Sequence, residues 1–386
     1  MVTPATRQRM RLPISNAGAA PIHEWTFEGN IFMRALHRSI IALCCSTIGA
    51  SAFAQNASPG VTPNGTVTSP AISVPYSSLA SPEARAFFPK MLAAGSKAPP
   101  LNGPIADSRA FYDRMNSDRA ARMEKIYPVK IHSETIAGVG TDVVLPAQGV
   151  APENAHRVLV NLHGGAFLWG AHSGALVESI PIASIGRIKV ISVDYRQGPE
   201  HTFPAASDDV EAVYRALLKQ YKPEEIGIYG CSAGGFLTGE AVARFITDKV
   251  PVPGAIGTFC GSVVELTGDS AYVAPLLNGQ GVPAHLLGFA DLPYFRGAKA
   301  SDPLVFPGLS PALLAKFPPT LLITGTRDMT MSSVIDSQQL LDQAGAKTEL
   351  HVWEGMWHSF FSDPELPESK QAYQVIVNFF LRHLEH

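Results

Sequence analysis

Ile226-Gly227-Ile228-Tyr229-Gly230-Cys231-Ser232-Ala233-Gly234-Gly235 is the stretch that decides how this chain folds. A strand-like run enters Gly-x-Ser-x-Gly, and helix-compatible sequence follows it. That order places Ser232 on a tight strand-to-helix turn, with its side chain lifted off a sheet. The pentapeptide alone matches by chance in many chains; the strand before it and the helix after it make the signal specific. A serine hydroxyl is a poor nucleophile until a neighbouring base takes its proton. The remainder of the chain is therefore read for a base, an acid and a set of hydrogen-bond donors.

The donors come first in the chain. His163-Gly164-Gly165-Ala166-Phe167 follows the apolar run Arg157–Leu162 and is a glycine-rich loop of the kind that offers backbone N–H groups to a developing oxyanion. His163 is expected to orient that loop rather than react. The acid and the base follow the serine, in the order Ser, acid, His. Leu321-Leu322-Ile323-Thr324-Gly325-Thr326-Arg327-Asp328 puts Asp328 in the loop after a late strand, whereas Asp336 and Asp342 fall within the next helix. His351-Val352-Trp353-Glu354-Gly355-Met356-Trp357-His358 offers His358 after the last strand, and His351, inside that strand, reads as structural.

Around these residues, strand-like and helical runs alternate. Strands are expected at Arg157–Leu162, Lys189–Asp194, Ile226–Tyr229, Ala255–Phe259, Thr320–Thr324 and Thr348–Trp353. Helices are expected at about 206–220, 232–247, 331–344 and 368–384. Continuous apolar strands separated by helices indicate an α/β protein with a mostly parallel sheet covered on both faces. Two helices precede the first strand: one starts at Ser81-Pro82-Glu83, with serine as N-cap and proline at the first helical position, and one spans about Asp107 to Lys125. Residues 263–312, rich in Pro and Gly, read as an insertion that forms a lid.

The N-terminal part reads as leader sequence. Met33-Arg34-Ala35-Leu36-His37-Arg38, the apolar run Ile40–Ile48 and Ala52-Phe53-Ala54 form the basic, hydrophobic and small-residue parts of a signal peptide. Residues 1–54 are thus expected to be an upstream extension and signal peptide, with Met33 the start, and residues 55–80 a mobile leader before a folded domain at 81–386. The apolar run is too short for a stable membrane anchor, which leaves an exported protein, periplasmic or secreted. With 30 Lys and Arg against 33 Asp and Glu, and no dense basic cluster, nothing points to nucleic acid. Cys231 and Cys260 are the cysteines beyond residue 54. A bond between them is geometrically possible, and two buried free thiols is the expectation taken forward.

The motifs together resemble one family, the hormone-sensitive-lipase-like (bacterial family IV) esterases of the α/β-hydrolase superfamily. The resemblance covers about residues 140–385. It rests on His163-Gly164-Gly165-Ala166, on Asp194-Tyr195-Arg196-Gln197-Gly198-Pro199-Glu200-His201 with Phe203-Pro204-Ala205-Ala206, and on Gly230–Gly235. Ala166 stands where that family often has a third glycine. The resemblance implies an α/β-hydrolase fold with a helical cap, from about 81–130 and 263–312. It implies a carboxylic ester hydrolase acting on small or medium acyl esters, with Ser232, Asp328 and His358 as catalytic triad and the N–H groups of Gly164, Gly165 and Ala233 as oxyanion hole. An amidase, lactonase or peptidase using the same triad is the alternative, and a non-catalytic ligand-binding protein on this fold the next. Asp194, Arg196, Glu200 and His201 are expected to fix their loop; Phe167, Trp169 and Trp357 either line the substrate pocket or simply pack. The partner is a small-molecule ester. No cofactor or metal is called for: His163, His172 and His201 lack zinc-ligand spacing.

Mass spectrometry of the exported protein is expected to find Gln55 or a near neighbour at the N-terminus. An intact residue 1 in exported material would overturn the signal-peptide reading.

Overall fold

In the computed structural model, residues 60–68 and 72–385 are described. The expected signal peptide and its cleavage point lie outside them. The chain divides into two compact units, residues 1–73 and 74–386. In the first, β1 (Gly60–Val61) pairs antiparallel with β2 (Val67–Thr68). The second begins earlier than the expected domain start at 81. Tyr76 donates its hydroxyl to the Gly355 carbonyl at 2.9 Å, and Ala80 is buried, so residues 74–80 are part of the folded unit.

Two helices open this unit. The N–H of Ala84 donates to Ser81 Oγ at 3.0 Å, capping α1 (Pro82–Gly95) as its sequence anticipates. Next comes α2 (Ile105–Ile126). The sheet then starts with a hairpin that the strand reading did not include: β3 (Val129–Ile136) and β4 (Val139–Pro146), paired antiparallel. Ala137 and Gly138 between them both have positive φ, 52° and 85°, the backbone that matches a tight turn to the twist of its strands.

From there the chain is β5 (Val158–Leu162), α3 (Ser173–Gly186), β6 (Lys189–Val193), α4 (Ala205–Leu217), β7 (Ile226–Cys231), α5 (Ala233–Thr247) and β8 (Ala255–Phe259). It continues through α6 (Asp269–Leu277), α7 (Pro311–Leu314), β9 (Thr320–Arg327), α8 (Met331–Gln343), β10 (Thr348–Trp357) and α9 (Pro367–His383). The eight-stranded sheet has the order β10-β9-β8-β7-β5-β6-β4-β3. The six strands from β10 to β6 are parallel, and the β3–β4 hairpin closes one edge antiparallel.

Each face of the sheet buries its own core. On one, Ile180 and Ala183 of α3 and Tyr373, Ile376 and Phe380 of α9 pack over Leu159, Val190 and Leu321. On the other, Val210 and Tyr214 of α4 and Leu237 and Phe245 of α5 cover Val160, Ile191 and Ile228. Strands covered on both sides lose the apolar/polar alternation of half-exposed ones, and β5, β7 and β8 are buried at every position. Among the described residues, no helix is long and apolar enough to cross a membrane.

Candidate active site

Ser232 sits between the C-terminal end of β7 and the first turn of α5, with φ 56° and ψ −122°. A non-glycine residue holds such a backbone only where its surroundings impose it. They do so here by close approach. A Cβ on Gly234 would stand 1.7 Å from the Leu162 carbonyl oxygen, and one on Gly230 would stand 2.2 Å from the same atom. Only glycine lets the end of β5 reach the turn. The N–H of Ser232 donates to the Phe259 carbonyl at 2.8 Å, fixing the turn to β8.

The acid and the base arrive from the neighbouring parallel strands. Asp328 follows β9 and is fully buried; Thr330 N–H donates to its Oδ1 at 2.9 Å and Thr324 Oγ1 to its Oδ2 at 3.0 Å. His358 follows β10, with Nδ1 2.8 Å from Asp328 Oδ1 and Nε2 2.8 Å from Ser232 Oγ. A carboxylate only accepts, so Nδ1 carries the proton and Nε2 accepts the serine hydroxyl. Burial alone would raise the Asp328 pKa, but the charge and hydrogen bond of His358 hold it below the ordinary value. Burial pulls His358 down, and the Asp328 charge and hydrogen bond more than offset this, so the imidazole stands above 6.5. The structure thus brings all three residues into one hydrogen-bonded line.

Of the three amides expected to form the hole, one is already committed. Gly164 N–H donates to Glu178 Oε1 at 2.8 Å. The amides of Gly165 and Ala233 meet no acceptor among the described residues, and Ala233 opens α5, where the helix dipole favours negative charge. Gly165 has φ +121°, and a Cβ there would lie 2.0 Å from the Trp169 carbonyl oxygen. His163 is buried and neutral, its pKa pulled down to about 4 by desolvation. Its Nδ1–H donates to the Gly164 carbonyl at 2.8 Å, and its ring stacks on Tyr195 at 4.3 Å. It orients the loop, as expected.

Glu178 is a site residue that sequence reasoning missed. It projects from α3 and lines the cavity beside Ser232. Oε1 accepts from Gly164, while Oε2 accepts from Asn161 Nδ2 at 3.0 Å and from Cys231 N–H at 3.1 Å. Burial pushes its carboxyl up to about 7 against the three N–H groups that pull it down. No motif flags it; the one available signal is an acid in an otherwise apolar stretch, Gly174-Ala175-Leu176-Val177-Glu178.

The other expected residues fall as follows. Arg196 pairs with Asp209 at 2.8 Å, Glu200 with Arg109 at 2.7 Å, and Asp194 faces His172 Nε2 at 3.5 Å, all bracing the loop after β6. Arg109 also donates to the carbonyls of Leu168 and Gly198, at 2.9 and 3.0 Å, tying α2 to the loops after β5 and β6. His351 bonds Glu349 within β10. Cys231 and Cys260 are free buried thiols whose pKa values burial raises. Two cavities meet at Ser232 and His358. The wider, about 620 Å³, is walled by Phe87, Met91, Tyr112, Trp169, Arg119 and Trp357. The narrower, about 120 Å³, is walled by Phe167, Phe236, Leu266, Phe289, Phe295 and Phe306. Phe167, Trp169 and Trp357 therefore line the site.

Comparison with known proteins agrees with this architecture. The profile of a family described as alpha/beta hydrolase fold matches residues 159–362, and the chain belongs to that family. Within it, the chain is similar to bacterial hormone-sensitive-lipase-family esterases. A solved esterase of that family shares 26% identity, with TM-score 0.69, over 79% of this chain and 99% of its own. Esterase E25 shares 32% identity, with TM-score 0.71, over 83% of this chain and 100% of its own. Among curated proteins, an esterase of Acinetobacter venetianus is 28% identical over 65% of this chain and 82% of its own. An acetyl-hydrolase of Streptomyces hygroscopicus is 29% identical over 73% and 91%.

Ala166 adopts φ 54°, a left-handed backbone that a Cβ disfavours. Ala166→Gly relieves that strain at some cost in unfolded-chain entropy. The expected net gain is up to about 1 kcal/mol, read by calorimetry as a melting temperature raised by about 1–3 °C. A lowered melting temperature would show that packing of the Ala166 methyl group outweighs the strain.

Proposed function

We propose that this protein is a carboxylic ester hydrolase that works through Ser232, His358 and Asp328 and an acyl-enzyme. The observation that carries the reading is the Asp328–His358–Ser232 line, two 2.8 Å hydrogen bonds ending on a strained strand-to-helix turn. Similarity to proteins described as esterases supports it.

His358 Nε2 takes the Ser232 proton as Oγ attacks the ester carbonyl carbon. Asp328 holds the imidazole by its Nδ1–H and stabilises the imidazolium as it forms. The carbonyl oxygen gains charge facing the N–H groups of Gly165 and Ala233; each such donor is typically worth roughly 3–4 kcal/mol at the transition state. Collapse of the tetrahedral intermediate breaks the C–O bond, and His358 protonates the departing alcohol. Water, deprotonated by His358, then attacks the acyl-serine and releases the acid and Ser232.

The pair of cavities bears on substrate size. We assign the narrow aromatic cavity to the acyl group and the wide one to the alcohol, which limits the acyl chain to a few carbons. In this reading α1, α2 and residues 263–312 act as the cap, since residues of each wall the site, and the enzyme works after export.

Four outcomes are expected with p-nitrophenyl esters from acetate to palmitate. Turnover falls at least tenfold from butyrate to palmitate, and Phe236→Ala, which opens the narrow cavity, shifts the optimum to longer chains. Ser232→Ala loses more than a thousandfold in kcat; activity retained there would remove the nucleophile from the mechanism. Because neutral His358 is the base and its pKa stands above 6.5, kcat/KM rises with pH through an apparent pKa above 6.5 and then levels. A profile flat from pH 5 to 8 would assign the base elsewhere.

A further inference from the structure

Among the described residues, Glu178 does something no other side chain near Ser232 does: it grips both halves of the site at once. One carboxylate oxygen receives the N–H of Gly164, the residue before the free amide of Gly165. The other receives the N–H of Cys231, the residue before Ser232 and two before the free amide of Ala233. Asn161 Nδ2 supplies a third donor, and is itself held through Ser192 Oγ. The parent helix α3 is fixed in turn, since Tyr229 of β7 donates its hydroxyl to the Glu178 carbonyl at 3.1 Å. An apolar residue would fill this place without the cost of desolvating a carboxyl group. Three converging N–H donors, by contrast, need an acceptor with two oxygens.

We propose that Glu178 is a positioning residue for the oxyanion hole, setting the Gly165 amide and the Ala233 amide at the separation one oxygen atom requires. It bonds neither Ser232 nor His358 and acts through Gly164 and Cys231. A hydrogen-bond donor displaced by an ångström stabilises charge poorly, so the effect falls on the transition state rather than on substrate binding.

Glu178→Gln keeps the shape but replaces one acceptor oxygen with an NH2 group, which meets an N–H donor head-on. Glu178→Asp keeps the charge but is one methylene too short to reach both amides. This proposal rests on the ester-hydrolase reading, and the tests are arranged to separate the two. Active sites are first titrated with a fluorophosphonate, so that every rate is expressed per competent serine. Folding is checked by the melting temperature. Each folded variant is expected to lose ten- to a hundredfold in kcat, with KM within threefold of wild type. Affinity for a trifluoromethyl ketone, which forms an oxyanion on Ser232, should fall by the same factor as kcat/KM. Binding of the product alcohol should stay unchanged. A kcat per titrated site within twofold of wild type in either variant overturns the proposal, while Ser232→Ala silence leaves the esterase reading intact. A wild-type protein that neither turns over esters nor binds the ketone overturns both.

Discussion

The contact on which this structure depends is a steric one. The carbonyl oxygen of Leu162, the last residue of β5, occupies the space where side chains at Gly230 and Gly234 would begin. Only that absence of side chain brings the strand carrying the glycine-rich loop against the turn carrying Ser232. The strained backbone of Ser232 is then held by its neighbours, with its N–H on β8 and its carbonyl accepting from Gly235 and Phe236. Parallel strands complete the site. Because β9 and β10 run in the same direction as β7, their C-terminal loops emerge on the same edge, and Asp328 and His358 reach Ser232 from there.

Electrostatics then divide the work among buried groups. Asp328 keeps its charge in the interior because His358, Thr330 and Thr324 all donate to it or pair with it. His163 gives up its charge, since burial outweighs its hydrogen bond to Gly164 and the charge of Asp142. Glu178 lies between these limits, with burial set against three N–H donors. Desolvation is common to all three, and the nearby donors and charges decide the outcome.

What the sequence disclosed follows from how local each signal is. The turn at Ser232, the loop at Gly164, Asp328 and His358 each stand at the end of a short apolar strand, and turn chemistry is written in adjacent residues. The cap of α1 is equally local. By contrast, α3 has nine of its fourteen residues buried and Pro181 inside it, so it shows no polar face to mark it as a helix. Glu178 was hidden with it. β3 escaped for the opposite reason: an edge strand with most positions exposed carries little apolar signal. Residues 74–80 look like linker by composition, yet Tyr76 reaches Gly355, a contact across most of the chain that no window of sequence reveals. The amide of Gly164 reads as free from the sequence because its acceptor comes from α3, a helix with no local signal.

The two groups that hold Gly164 respond to protons in opposite ways. His163, which donates to the Gly164 carbonyl, titrates at about 4 in the fold against 6.5 ordinarily. The stability it contributes is present above pH 6.5 and is lost as the pH falls toward 4. Glu178, which accepts the Gly164 N–H, titrates at about 7 in the fold against 4.5 ordinarily. Its contribution is present below pH 4.5 and is lost as the pH rises through 7. Between these limits the two contributions to folding stability run in opposite directions, although each hydrogen bond on Gly164 favours the charged form of its partner. A single glycine held by a base and an acid, each displaced from its normal range by burial, leaves the stability of the folded state less sensitive to mild acid than either group alone would make it.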